Sequence, residues 1–472
     1  MAKKYLRKFF VFLLIVTAQT ALAGAARQIQ SNIDKTLKRY DPNINVGIVV
    51  QSLTQNKILY QKNPNQLFMP ASILKIFPAI AALSFLGPDY HFQTKILAKN
   101  LNIELGTINN DLYLYFDGDP SLTKQDVNNL IKKLAVLGLT TINNNIYIDD
   151  TIFDDSLLGA GWVWDDLNSC YAAPISAAMI DKNCFSIKLK PQKSEQPAVL
   201  VDDINYVSIT NNIISKIPSN NCPIKLNTSN SNNYNLSGCI KTNSPPVNLS
   251  FAIRNVRLYA KKLLIEQLQT NNIKLNGSIE FKKTPIDTQL GILAEHESAP
   301  LSEIIKPMLK KSDNTIADTI YKKLGAAFFN KQSSWQDGSK AIKNILEKKS
   351  YINFKEMYMD DGSGLSNYNL ITPANLVAAL SYAYHNETIR QIFINSLSKA
   401  GIDGTLQYRM PNLKNRIYAK TGNMANVSSL TGYVKTKNQE TIAFAIIVSS
   451  FLGKPKRFHK LQDEICNILA NR

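Results

Sequence analysis

Along the chain, apolar residues change period several times, and each change marks an element. Ile29 to Leu37 is amphipathic at helical spacing. VGIVVQSL and KILYQKN follow as two runs of strand length separated by Thr54-Gln55-Asn56, which predicts a hairpin. SILKIFPAIAALSFLG then reads as a helix, with Pro70 where a first turn tolerates it. Pro78 interrupts the same pattern, and its missing N–H predicts a bend.

From about His91 the texture turns to short alternating runs: TKILAKN, DLYLYFDG, NNIYIDD, CFSIKLKP and PAVLVDD. This β-rich stretch reaches about Thr284. Its most polar part, Asn211 to Pro246, reads as a small loop-rich module. Helical spacing returns in LSEIIKPMLKKS, NTIADTIYKKLGAAFF, KAIKNILEKK and PANLVAALSYAYHN. Two strand-like runs, SSLTGYVKT and TIAFAIIVSSF, and a helix, RFHKLQDEICNILA, close the chain. The order predicts one α+β domain interrupted by another.

The first residues add a location. Lys3, Lys4, Arg7 and Lys8 precede the apolar run Phe9 to Val16, and Ala21-Leu22-Ala23 is a small-x-small cleavage site. Residues 1–23 therefore read as a cleavable export signal, too short in its apolar core to span a bilayer. Its removal from 472 residues leaves 449, enough for two or three domains, and lowers the formal net charge from +18 to about +14. Export makes nucleic acid an implausible partner for that positive charge. Anionic wall polymers or phospholipid head groups are the natural alternatives, and a basic surface that only keeps the protein soluble remains open, as does a homodimer.

An exported chain also allows disulfides. Cys170, Cys184, Cys222 and Cys239 fall into two local pairs, with Cys466 left over. Cys170–Cys184 and Cys222–Cys239 would close short loops, each stabilising by about 3 kcal/mol on a chain-entropy account, although other pairings satisfy the same count. No CxxC or HExxH occurs. The scattered His91, His296, His385 and His459 read as surface or packing residues, so neither a metal nor another cofactor is expected.

Three motifs supply candidate chemistry: Ser72-Ile-Leu-Lys75, Ser312-Asp-Asn314 and Lys420-Thr421-Gly422. Residues i and i+3 share a helix face, so the Lys75 amine can reach the Ser72 hydroxyl. Serine needs a base to become a nucleophile, and lysine can serve only if burial or a nearby cation lowers its pKa. Lys420 would be that cation. Ser72 at a helix start would also offer its N–H to a developing oxyanion. Ser396-x-x-Lys399, Ser219-Asn-Asn221 and Ser231-Asn-Asn233 repeat single motifs, but Lys-Thr-Gly occurs once, and only the first set stands in order. Ser396 is read as the end of the helix near Ile389.

The ordered set is the signature of serine β-lactamases and penicillin-binding proteins. With PASILKIFPAIAALSFLGPDYHFQT, DLYLYFDGDPSLT, GWVWDDLNSCYAAPISAAMIDKNCFSI, SDNTIADTI, DGSGLSNYNLITPANLVAAL and AKTGNMANVSSLTGYV, the chain resembles the D-alanyl-D-alanine carboxypeptidase/endopeptidases of the penicillin-binding protein 4 type, the class C low-molecular-mass group. The resemblance spans nearly all of the mature chain. The 240 residues from Ser72 to Ser312 set it apart from a β-lactamase or a minimal carboxypeptidase.

The resemblance implies a transpeptidase-like domain from residues 24–92 and 290–472. Residues 93–289 would be inserted as two nested domains, with a loop-rich subdomain near 184–250. It implies a periplasmic serine peptidase acting on peptidoglycan stem peptides and acylated by β-lactams. A β-lactamase or esterase of the same fold is the alternative. Ser72 would be acylated with Lys75 as base, Ser312 would relay a proton and Asn314 would hold the substrate amide. Lys420 and Thr421 would bind the terminal carboxylate, and Gly422 would keep the strand bare where the substrate lies. The N–H groups of Ser72 and Asn423 would form the oxyanion hole, and Asp166, beside Asp165, would face the diaminopimelate side chain. Asp361 is read as a turn residue. Cys170–Cys184 and Cys222–Cys239 match the family's disulfides. Pro78 departs from the family pattern, which has threonine or a similar residue there.

Overall fold

A computed structural model describes residues 27–472 apart from 202–203, 218–221, 230, 287–288 and 351; the expected export signal lies outside these residues. The two apolar runs before the nucleophile motif form the predicted hairpin, Asn45–Ser52 with Lys57–Lys62. The first of these strands pairs antiparallel with Thr441–Ser449 near the other end of the chain. Across the sheet the order is Ser398–Lys399, Ile417–Met424, Val427–Lys435, Thr441–Ser449, Asn45–Ser52 and Lys57–Lys62, all antiparallel.

Thr441–Ser449 is buried throughout because both faces of the sheet are covered. Successive side chains go to opposite cores. Ala443, Ala445 and Ile447 join Val49 and Tyr433 under the helices Ile76–Phe85, Leu301–Lys310, Asn314–Phe329, Trp335–Ser350, Pro373–His385 and Glu387–Ser396. Ile442, Phe444, Ile446 and Val448 join Ile48 and Val50 under the helix at residues 27–40 and the closing helix Lys456–Ala470. Cys466 is buried in this second core with a free thiol.

The intervening chain builds a separate core. Its main sheet runs Ile279–Phe281, Ile146–Asp149, Leu112–Phe116, Gln93–Ala98 and Gly291–Glu297 in spatial order. Gln93–Ala98 and Gly291–Glu297, the outgoing and returning strands, pair antiparallel. The α+β fold class holds, but the inserted region is less purely β than its alternating runs predict. Two helices pack on it, Lys124–Val136 and Val256–Thr270. The first opens with a reciprocal cap between Thr123 and Asp126, the second with Asn255 accepting from the Leu258 N–H.

The polar stretch Asn211 to Pro246 is likewise not loop-rich. Ser208–Lys216, Asn233–Lys241 and Lys225–Thr228 form a three-stranded sheet. Ile213, Tyr234, Leu236 and Ile240 turn inward, while Ile214 is exposed on the other face among Asn, Ser, Thr and Lys. The disulfides are Cys170–Cys184 and Cys222–Cys239, each with Cα atoms 5.4 Å apart.

Candidate active site

Ser72 does not begin an α-helix. It stands in a 3₁₀ segment, Ala71–Lys75, that passes directly into the α-helix Ile76–Phe85. Three residues per turn place positions i and i+3 directly above one another, which serves the Ser72–Lys75 pair better than an α-helix would. Pro78 falls in the first turn of the α-helix, where proline is best tolerated.

Lys75 is wholly buried. Its Nζ donates to Ser72 Oγ at 3.0 Å, to Asn314 Oδ1 at 2.7 Å and to the Ser363 carbonyl at 2.7 Å. Burial lowers its pKa to about 8, against the pull of Asp318, Asp361 and Asp313, which favour the cation. The sequence reading allowed burial or a nearby cation as the cause, and burial leads. Lys420 is itself pushed well below the ordinary lysine range, by burial first and then by the charge of Lys75.

Asn314 is the first residue of the helix Asn314–Phe329, which Asp313 caps by accepting from the Ile316 N–H at 3.1 Å. Asp313 also pairs with Lys182 from the inserted region. Just before the cap, Ser312 takes a left-handed conformation, φ 61°. That costs a residue with a Cβ roughly 1–2 kcal/mol, a strain that concentrates at functional sites. Lys420 Nζ donates to Ser312 Oγ at 2.8 Å and to the Thr421 carbonyl at 2.6 Å. The structure therefore gathers Ser72, Lys75, Ser312, Asn314 and Lys420 as two serine–lysine pairs joined through one short turn.

Thr421 reaches the Thr405 hydroxyl at 2.8 Å. Beyond Ala419, the Ile417–Met424 strand leaves its outer edge without a strand partner among the described residues, since Ser398–Lys399 pairs only opposite Ala419 and Tyr418. Gly422 is packed closely on the side where a Cβ would stand. A Cβ there would lie 2.3 Å from Ser429 Oγ, 2.9 Å from the Pro70 carbonyl oxygen and 3.1 Å from the Ile73 nitrogen. The missing side chain makes room for the turn that holds Ser72. Asn423 is exposed, its Oδ1 3.0 Å from His459 Nε2. Burial, then Arg409 and Lys456, lower the His459 pKa to about 4.

Asp166 ends a 3₁₀ turn, Trp164–Asp166, and accepts from the Tyr171 hydroxyl at 2.6 Å. The Tyr171 carbonyl in turn accepts from Asn314 Nδ2 at 2.9 Å, and the neighbouring Cys170–Cys184 bridge anchors that turn. Asp361 shapes its loop, accepting from the N–H groups of Gly364 (2.8 Å) and Ser366 (2.6 Å), from Asn369 Nδ2 (2.8 Å) and from the Trp162 indole (3.0 Å). The decoy Ser396 ends the helix Glu387–Ser396, where its hydroxyl donates to the Ile392 carbonyl. Sequence reasoning missed Tyr171, Ser363, Thr405 and Asp318. Only Asp318 left a signal, an acid four residues after Asn314 and so on the same helix face.

An antiparallel sheet between helical layers, with these two serine–lysine pairs at one edge strand, is the arrangement of the penicillin-recognising serine hydrolases. Within that class, the sequence profile of the D-Ala-D-Ala carboxypeptidase 3 (S13) family matches residues 29–471, and the chain belongs to that family. It is 31% identical over 430 residues to the D-alanyl-D-alanine carboxypeptidase DacB of Haemophilus influenzae, covering 89% of this chain and 88% of that protein. The crystal structure of penicillin binding protein 4 (dacB) from Haemophilus influenzae superposes with a TM-score of 0.83 at 30% identity, over 92% of this chain and 98% of that one. The same protein complexed with a β-lactam gives 0.79 at 29% identity, over 93% and 100%.

Proposed function

We propose that this protein is a periplasmic serine peptidase that hydrolyses the D-Ala-D-Ala terminus of peptidoglycan stem peptides and the D-Ala–meso-diaminopimelate cross-links, through an ester on Ser72. The observation that carries the reading is the convergence of the Ser72–Lys75 and Ser312–Lys420 pairs with Asn314 beside an open strand edge. Neutral Lys75 takes the proton as Ser72 Oγ attacks the carbonyl carbon of the penultimate D-alanine. The N–H groups of Ser72 and Asn423 receive the oxyanion. As the amide C–N bond breaks, Ser312, held by Lys420, passes a proton to the departing nitrogen, and water then cleaves the ester.

The unpaired edge from Lys420 onward suits an extended peptide added as a further strand, with Asn314 holding a substrate amide. Lys420 and Thr421 would take the terminal carboxylate. Asp166, one tyrosine away from Asn314, would meet the ammonium of diaminopimelate. The basic, small-x-small pattern of residues 1–23 supports export to the compartment where this substrate lies. β-Lactams would acylate the same serine.

The test is a digest of cross-linked peptidoglycan and of a D-Ala-D-Ala pentapeptide, with products separated by mass. Loss of one alanine from the pentapeptide and splitting of dimeric peptides are expected. Inertness toward both, with rapid turnover of penicillin, would overturn the proposal in favour of a β-lactamase.

A further inference from the structure

Asp318 lies one turn beyond Asn314 on the same helix and is completely buried. Its Oδ1 accepts from two consecutive backbone N–H groups, Gly362 and Ser363, each at 2.8 Å. The carbonyl of that same Ser363 accepts from Lys75 Nζ. The loop packs directly against the turn that carries the nucleophile: Gly364, at φ 80°, lies so close that a Cβ would meet the Ala71 carbonyl oxygen at 2.0 Å. Asp361 braces the far side by accepting from the Gly364 N–H. Asp318 thus stands behind the carbonyl that faces Lys75, and it touches neither Ser72 nor the open cleft.

We infer that Asp318 is the positioning residue for Lys75: it clamps the Gly362–Ser363 backbone so that the Ser363 carbonyl, with Asn314 Oδ1, holds Nζ against Ser72. The inference rests on the reading of Lys75 as the base. Oδ1 alone carries this clamp, and Oδ2 is buried without a hydrogen-bond partner. Burial and then Asp361 push this group well above the ordinary carboxylate range, with Lys75 opposing.

The test measures acylation of the mature protein by a fluorescent penicillin, per active site and resolved into affinity and rate constant, for the wild type, Lys75→Ala, Asp318→Ala and Asp318→Asn. An amide accepts the same two N–H bonds. Asp318→Asn is expected to keep more than a third of the wild-type rate constant. Asp318→Ala is expected to lose at least tenfold, with penicillin affinity within about twofold. A purely structural role would lower the labelled fraction and leave the rate constant unchanged. Asp318→Asn below a third of wild type, or Asp318→Ala within tenfold of it, would overturn the inference. If Asp318→Ala does not fold, the Asn variant alone decides. An undiminished rate in Lys75→Ala would overturn the reading of the base, and the inference with it, and is recognisable whatever the Asp318 variants do.

Discussion

Substitution of Gly422 by alanine separates two accounts of why the edge strand lacks a side chain. If the glycine only spared the substrate, Gly422→Ala would weaken turnover and leave the fold intact. The structure instead puts the new methyl 2.3 Å from Ser429 Oγ, which donates to the Pro70 carbonyl at 2.8 Å. Relieving that overlap breaks the Ser429–Pro70 bond and strains the strand against the turn at Ser72. Overpacking costs about 1–3 kcal/mol and a lost buried hydrogen bond about 1–2 kcal/mol, roughly 3 kcal/mol together. The thermal midpoint should fall by about 3–6 °C, and acylation should slow as the turn shifts. Ser429→Ala alone should cost about 1–2 kcal/mol. Because it removes the first atom the methyl meets, the double variant should be less destabilised than the sum of the singles by at least ~1 kcal/mol. Calorimetry of the four proteins reads this directly. Strict additivity, or an unchanged midpoint in Gly422→Ala, would refute the packing account.

Lys75 makes acylation pH-dependent, with the neutral amine as the active form. With its pKa at about 8, roughly a tenth is neutral at pH 7 and a hundredth at pH 6. The second-order rate of penicillin labelling should therefore climb about tenfold per unit and level off above pH 8, whereas a rate flat from pH 6 to 8 would contradict burial as the cause. Cys466 is fully buried and its thiol is pushed up by burial and by Asp463, so a thiol reagent at pH 8 should find no reactive group in the native protein and one after unreduced denaturation. Tyr171→Phe removes the hydroxyl that holds Asp166 but keeps the carbonyl that holds Asn314. Penicillin acylation should stay within about threefold, while cleavage of diaminopimelate-containing peptide should change through KM.

The nucleophile and its partners were legible because their spacing is local: Lys75 lies three residues from Ser72, and Asn314 two from Ser312. The hairpin, the closing strands and the α+β class were legible from the period of apolar residues. What escaped depends on contacts between distant segments. Nothing near Gly422 in the chain tells that Ser429 and Pro70 crowd it. Lys75 is lowered first by burial, whose extent a sequence does not display. The helix Lys124–Val136 was hidden among strands, although Thr123 and Asp126 form a readable cap. The Asn-rich sheet around Tyr234 buries too few apolar residues for its alternation to stand out from a loop.

Mass spectrometry of the mature protein after brief exposure to a penicillin, followed by peptide mapping, tests the central claim most directly. One adduct is expected, on the hydroxyl of Ser72, with none on Ser72→Ala. An adduct on another residue, or undiminished labelling of Ser72→Ala, would contradict the account.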